Sequence, residues 1–391
     1  MKKVKFGLVG AGNVANYHMI SLSSIAEAEI TALCDVDKEK LKEAAGKFNI
    51  KKLYSDYNEL LKDENVDVVE ILTPPHIRPK IAIAAAEAGK HIIVEKPMCH
   101  NLKDADEMIK AAKNAGVKLM MAESYVFTTT HVKAKELIEA GEIGEPMWIR
   151  SVRGSWINKN LVRQTERPPR QASATAYSWR ADPTITGGGK YSFFFLHNVH
   201  FIAAARYLMG SDVEKVYAMP KLEAVEGKSE GATAREDVST YTCRYEGGEK
   251  FSTFMDFGFT FTGRKRIVDH LGFKTIVSGT EGTIEMFGEG GGPISPGQER
   301  APLIIHKRDE TRAINIDEGS DLVWVSVVNY YNQAFKNELD YFANCILKDE
   351  KPRYTGEDGR KDVQITLAAI KSVLEDRPIR PAQIPREWTP D

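Results

Sequence analysis

The stretch that most constrains this chain is its opening. Val4–Val9 is a short apolar run, Gly10-Ala11-Gly12-Asn13-Val14-Ala15 follows it directly, and a helical pattern continues to residue 24. A Gly-x-Gly-x-x-Gly/Ala turn between strand and helix has a specific physical logic. The first glycine makes the tight turn, the second lets the backbone approach a pyrophosphate, and the small third residue keeps helix and strand close. The helix then offers unpaired N–H groups and a partial positive charge to phosphates. Gly10, Gly12, Asn13 and Val14 are therefore candidate dinucleotide contacts. Asp35 ends the next strand, ~20 residues on, where a carboxylate accepts from ribose hydroxyls and repels a 2′-phosphate. No arginine follows in Val36-Asp37-Lys38. The expected cofactor is NAD in preference to NADP.

The alternation continues through the first third. Helix 38–48 carries Leu41, Ala44, Ala45 and Phe48 on one face, and strand 66–72 ends at Thr73-Pro74-Pro75. Helix 80–88, strand 91–94, helix 102–115 and strand 118–122 follow. Strand–helix alternation predicts a parallel sheet with right-handed crossovers. Past residue 125 the pattern changes to helix 132–140, strand 147–156, a polar loop at 158–183, the triplet Gly187-Gly188-Gly189, and one apolar helix over 193–209. Strands 216–218, 238–245, 250–259, 275–278 and 283–287 then succeed one another, which predicts an antiparallel sheet. Helices 327–347 and 358–374 close the chain.

At 391 residues, two domains are expected, 1–125 and 126–391. The net charge of -2, from 53 basic and 55 acidic side chains, argues against a bulk nucleic-acid binder. Cys34, Cys99, Cys243 and Cys345 are scattered without a Cys-x-x-Cys pair, so neither a zinc site nor a disulfide framework is expected. The first apolar run breaks at the glycine turn before it can serve as a signal peptide, and no stretch is long and apolar enough to span a membrane. A cytoplasmic protein without membrane or nucleic-acid partners is the expectation.

Glu95-Lys96-Pro97 follows strand 91–94. A lysine at the carboxyl end of a parallel strand points into the crevice where ligands bind, and the Lys-Pro bond is a candidate cis peptide. Alone, the tripeptide reads as a surface turn. Together with Gly10–Ala15, Asp35, Thr73-Pro74, and Gly187-Gly188-Gly189 ahead of His200, the chain resembles the glucose–fructose oxidoreductase / inositol dehydrogenase (Gfo/Idh/MocA) family. Ser278-Gly279-Thr280-Glu281-Gly282 and Thr355-Gly356-Glu357-Asp358-Gly359-Arg360 extend the resemblance over nearly the whole chain. It implies an α/β fold, with an N-terminal Rossmann domain joined to a C-terminal α/β domain on a large, mostly antiparallel open sheet. The last helices would pack back on the Rossmann domain. It implies NAD(P)-dependent oxidation or reduction of a sugar or polyol hydroxyl carbon, with Thr73, Pro74, His76 and Glu95 on the cofactor side. Lys96 would lie beside the nicotinamide and the reacting hydroxyl. Next to a nicotinamide cation a neutral lysine becomes accessible, able to take the hydroxyl proton or to hold the hydroxyl while a histidine does so.

The chain departs from the family pattern twice. Thr-Pro-Asn-x-x-His reads Thr73-Pro74-Pro75-His76-Ile77-Arg78 here, which loses the asparagine contact. Asp-x-x-x-His-x-x-Asp falls on 193–209 in either of two registers. Aligned on the helix end at Leu208-Met209-Gly210, the histidine is His200, with Leu196 and Ala203 at the aspartates. Aligned on Gly189, it is His197, with Phe193 and His200 there. The longer register favours His200, and neither supplies an aspartate. His197 and His200 lie on one helix face, as acid/base and orienting or substrate-binding partner, or as core histidines in an apolar helix. As metal ligands they lack a third group, so no metal is expected. Tyr191 is a further proton-donor candidate. Tyr125, Phe127 and Trp156 are candidates to stack on a sugar, and Trp179-Arg180 to line its pocket. Arg163, Arg167, Arg170 and Arg180 suit an acidic sugar such as a uronate. Two other functions stay open: an NAD-dependent glycosidase working by transient oxidation and elimination, and a non-catalytic, nucleotide-responsive binding protein. An open sheet face needs a cover, so a homodimer or homotetramer is expected.

Overall fold

The computed structural model describes residues 3–153, 179, 182–220, 238–256, 261–262, 265–266, 274–287, 303–314 and 327–390. The first unit runs β1 (Val4–Val9), α1 (Asn13–Leu22), β2 (Ala28–Cys34), α2 (Lys38–Phe48), β3 (Lys52–Tyr54), α3 (Tyr57–Leu61), β4 (Val68–Ile71), α4 (Arg78–Glu87), β5 (His91–Glu95), α5 (Leu102–Ala115) and β6 (Leu119–Ala122). Its six strands lie in the order β3-β2-β1-β4-β5-β6, and every pairing is parallel. Strand order reverses between β1 and β4, and ligands bind such sheets outside the carboxyl ends at that switch point. Burial on both faces explains why β6, Leu119 to Ala122, reads as an unbroken hydrophobic run; β4 carries the same burial around a single acid, Glu70. Helix ends obey local chemistry. Asp37 accepts from the N–H groups of Glu39 and Lys40 to start α2, and Gly116, at φ 67°, ends α5.

The second unit continues with α6 (Thr129–Glu139), β7 (Pro146–Arg153), α7 (Pro183–Thr186), α8 (Ser192–His197), α9 (Val199–Met209), β8 (Val213–Pro220), β9 (Val238–Tyr245), β10 (Phe251–Asp256), β11 (Phe261–Thr262), β12 (Lys265–Arg266), β13 (Lys274–Gly279), β14 (Gly282–Phe287), β15 (Leu303–Lys307), β16 (Thr311–Ile314), α10 (Val327–Leu347) and α11 (Gly356–Glu375). Eight strands form one sheet, β16-β15-β14-β13-β7-β10-β9-β8. All neighbours are antiparallel except β7 and β10. One face buries Ile149, Tyr241, Cys243 and Phe254, with Phe201 of α9 lying 4.3 Å from Phe254, ring to ring. The other face leaves Trp148, Tyr217, Met219 and Phe251 between 38% and 46% exposed.

The fold corrects one expectation that bears on the site. Residues 193–209 form two helices, with the chain turning at Asn198. Asn198 closes α8 by donating its N–H to Phe194 O (2.8 Å) and opens α9 by accepting from Phe201 and Ile202. His197 and His200 therefore sit on different helices, their rings nearly perpendicular with centroids 5.9 Å apart.

The closing helices bring the halves together. α10 packs on α1, and α11 packs on α5, β6, β8 and α9. Buried Arg206 of α9 donates to Asp362 of α11 (2.7 Å) and to Asp212 (3.0 Å), while the Tyr354 hydroxyl donates to the second Asp362 oxygen (2.7 Å).

Candidate active site

The glycine turn sits at the sheet's switch point. At Gly10 (φ 111°) a Cβ would lie 2.9 Å from the Leu72 carbonyl carbon, so the position is closed to side chains. Gly12 differs, because a Cβ there would meet nothing within 4 Å. Its bareness serves no packing inside the chain; it keeps space open in front of α1. That helix starts at Asn13 and Val14 with no capping side chain and no acid in its first turn, so its orphan N–H groups are left for a ligand. Asp35 is held at the same turn, accepting from Ala11 N (2.6 Å) and Asp37 N (2.8 Å). A carboxylate offers about four lone-pair sites, which leaves capacity for ribose hydroxyls. An uncapped helix, an open glycine and an anchored carboxylate fit a dinucleotide.

The ends of β4 and β5 meet beside this crevice. Thr73 and Pro74 lead into a short turn, Pro75–Ile77, and His76 stands exposed at its rim. Arg78, read from sequence only as a departure, is buried and joins the two loops. Its Nε donates to Thr73 O (2.7 Å), and its Nη1 to Glu95 O (2.7 Å) and Pro97 O (2.5 Å). The Lys96-Pro97 bond is cis. Lys96 Nζ reaches into the second unit and donates to Leu196 O at the end of α8 (2.9 Å). Glu95 was expected on the cofactor side, but its carboxylate turns inward, 3.3 Å from Nε2 of buried His18. Adjacent strand residues face opposite ways, so Lys96 can face the crevice only if Glu95 faces the core.

His200 lies on α9, and its Nδ1 is 2.5 Å from Glu123 Oε1. Glu123 directly follows β6 and is fully buried. Burial raises its carboxyl, while the Lys96 cation and the Tyr125 N–H pull it back down. Tyr125 N donates to the same Oε1 (3.2 Å), and the Tyr125 ring stacks on His200 at 4.4 Å, tilted by 13°. Tyr125 is therefore buried against the histidine rather than open to a sugar, and Tyr191, expected as a donor at the site, is 3% exposed. Phe127 is core, packed on Tyr341. Arg163, Arg167, Arg170, Arg180 and Trp156 lie outside the described residues. Among the described residues no cluster of His, Cys, Asp or Glu is arranged to hold a metal ion, and no helix is long and apolar enough to cross a membrane.

Glu123 and the role of Arg78 were missed in the sequence. The signal for Glu123 was available: like Lys96, it is a charged residue at the carboxyl end of an apolar parallel strand.

Comparison with known proteins agrees with this architecture. The family model for the Gfo/Idh/MocA oxidoreductase family, NAD-binding Rossmann fold, matches residues 4–123, and its C-terminal alpha/beta domain matches residues 135–380. Myo-inositol 2-dehydrogenase of Thermotoga maritima is 27% identical over 96% of this chain and 98% of its own. D-apiose dehydrogenase of Paraburkholderia graminis is 26% identical over 97% and 90%. The structure of levoglucosan dehydrogenase in complex with NADH and levoglucosan superposes with a TM-score of 0.75, at 22% identity, over 98% of this chain and all of that one, a likeness of fold. With a glycine turn that fits a dinucleotide, a two-unit fold and a family match across both units, this chain belongs to the Gfo/Idh/MocA family of oxidoreductases.

Proposed function

We propose that the protein is an NAD-dependent dehydrogenase acting on a carbinol carbon of a sugar or polyol. The observation that carries this reading is the convergence of amine and imidazole at the end of α8: Lys96 Nζ donates to Leu196 O, and His200, just beyond, bonds buried Glu123. Glu123 bonds His200 and feels the charge of Lys96, at the junction between cofactor crevice and second unit. The named activities of the relatives, on inositol, apiose and levoglucosan, support the substrate class.

In this reading Gly10, Gly12, Asn13 and Val14 hold the pyrophosphate, Asp35 holds the ribose and selects NAD over NADP, and Thr73, Pro74 and His76 border the nicotinamide. Bound there, NAD supplies the acceptor for the carbinol hydrogen and its electron pair. Lys96 donates to the substrate hydroxyl oxygen and lowers the cost of removing its proton, which His200 receives. His197 contacts the substrate beside it. The rate gain comes mainly from holding these groups in register. Residues 1–125 form the cofactor domain and 126–391 the substrate domain. The apolar side chains on the open sheet face support a homodimer or homotetramer. Four buried free thiols suit a reducing compartment, the cytoplasm. The arginines of the 158–183 segment favour an acidic sugar.

The test is a panel of inositols, neutral sugars, uronates and aryl glycosides with NAD and NADP, following nicotinamide absorbance and product release together. NADH formed with a sugar or polyol is the expected result. Glycoside cleavage without NADH, or NAD binding without turnover on any substrate, overturns the reading.

A further inference from the structure

We propose that Glu123 is the positioning residue of His200. Delivered by the end of β6 in the cofactor-binding unit, its carboxylate fixes the imidazole so that Nδ1–H points to Glu123 and Nε2 meets the substrate hydroxyl. The inference rests on the reading of His200 as the acid/base group and adds a residue to it.

The argument starts from a gap. Residues 192–209 place Phe193, Leu196 and Ala203 where an aspartate would orient a histidine, so neither helix provides a carboxylate. An imidazole has two nitrogens, and which one carries the proton is set by what the other is bonded to. The chain fills the gap from 77 positions away. Glu123 Oε1 lies 2.5 Å from His200 Nδ1, and Tyr125 N holds that oxygen from the other side. The Tyr125 ring stacks on the same imidazole. One short segment, 123–125, thus sets both the tautomer and the plane of the ring. A purely structural tie explains less. Breaking even in a buried ion pair requires excellent geometry, and the two units are already tied by Asp106 of α5, which accepts from Arg360 and Arg386.

During oxidation the substrate O–H bond breaks and an N–H bond forms at Nε2. The oxygen's electron pair becomes the second carbonyl bond as the carbon's hydrogen leaves with its pair for the nicotinamide dinucleotide. Glu123 keeps its bond to Nδ1–H and stabilises the imidazolium that results. Reduction runs the same transfers backwards. Among the described residues, the charged and titratable groups around Glu123 are Lys96 and Glu95 at the end of β5, His200 with His197 against it, Glu338 from α10, Tyr354 just ahead of α11, and Asp362 within α11.

The experiment compares wild type, Glu123→Gln, Glu123→Asp and Lys96→Met. Glu123→Gln is expected to keep NAD affinity, to lose about 10²–10⁴-fold in kcat, and to change the pH profile of kcat/KM; Glu123→Asp restores part of the rate. Nitrogen NMR of the cofactor-free wild type gives a second readout, with His200 expected as the Nδ1–H tautomer. If Glu123→Gln does not fold, the Glu123→Asp kinetics and the wild-type spectrum decide. Unchanged kcat and pH profile in Glu123→Gln, or an Nε2–H tautomer in wild type, overturns the role of Glu123. If Lys96→Met is inactive in that case, the dehydrogenase reading survives; a wild type silent on every substrate sinks that reading while the spectrum still reports on the pair.

Discussion

Stability should fall steeply as pH rises above neutrality, and His18 on α1 is the reason. Its Nδ1 is 2.5 Å from Glu70 Oε1 and its Nε2 is 3.3 Å from Glu95 Oε1, all three side chains being buried, with Phe335 packed on the ring at 4.5 Å. Burial alone would lower its pKa; the two carboxylates outweigh burial and raise it from 6.5 to about 10. Glu95 answers in kind, since burial would raise it, yet His18 carries it down to about 2. A raised folded-state pKa contributes stability that is complete below the unfolded value of 6.5 and is lost as pH climbs towards 10. At about 1.36 kcal/mol per decade, the whole coupling is on the order of 5 kcal/mol, of which about 2.5 kcal/mol disappears between about pH 7 and about pH 9. Glu338, whose burial raises its carboxyl well above the ordinary range, works in the same direction. The assay is urea unfolding of wild type and His18→Gln across that interval. His18→Gln is expected to be about 3–5 kcal/mol less stable near pH 7, because it leaves two buried carboxylates without their cation. That deficit should shrink by about 2.5 kcal/mol near pH 9. A deficit that stays constant with pH means His18 is neutral in the folded protein, and the argument fails.

Two substitutions test the cofactor crevice. Gly12→Val has open space to enter, so it should cost only about 1 kcal/mol of stability as a poorer helix cap. It should nevertheless weaken NAD binding by roughly tenfold or more, about 1.4 kcal/mol; titration calorimetry and thermal unfolding together check both halves. Arg78→Met removes the donor shared by the Thr73, Glu95 and Pro97 carbonyls. Freed from that strut, Lys96 should drift and kcat fall by about 10²-fold, with steady-state kinetics as the measure; a wild-type kcat would show that Arg78 does not position Lys96.

Much of the first unit could be read from sequence because its signals are local. A buried strand is an apolar run, and Gly89 or Gly116 marks where a helix stops. The short β3 and α3 were missed because three and five residues are too few to display a period. α6 begins earlier than its apolar pattern because Thr128 accepts from His131 N and caps it there. The break between α8 and α9 was hidden for a different reason. Almost every described residue of α9 is buried, and a segment that is apolar all round gives no face from which to judge a turn. The site divides the same way. Gly10, Gly12, Asp35 and Lys96 owe their meaning to the few residues around them. The Glu123–His200 pair spans 77 positions, and Arg78 is bonded to backbone carbonyls, which leave no mark in a side-chain pattern.

The most direct measurement is a crystal structure of the protein with NAD and a non-reactive sugar or polyol. The nicotinamide is expected at the ends of β4 and β5, with Lys96 Nζ and His200 Nε2 both on the bound hydroxyl. A nicotinamide seated elsewhere, or a hydroxyl that touches neither group, would contradict the account.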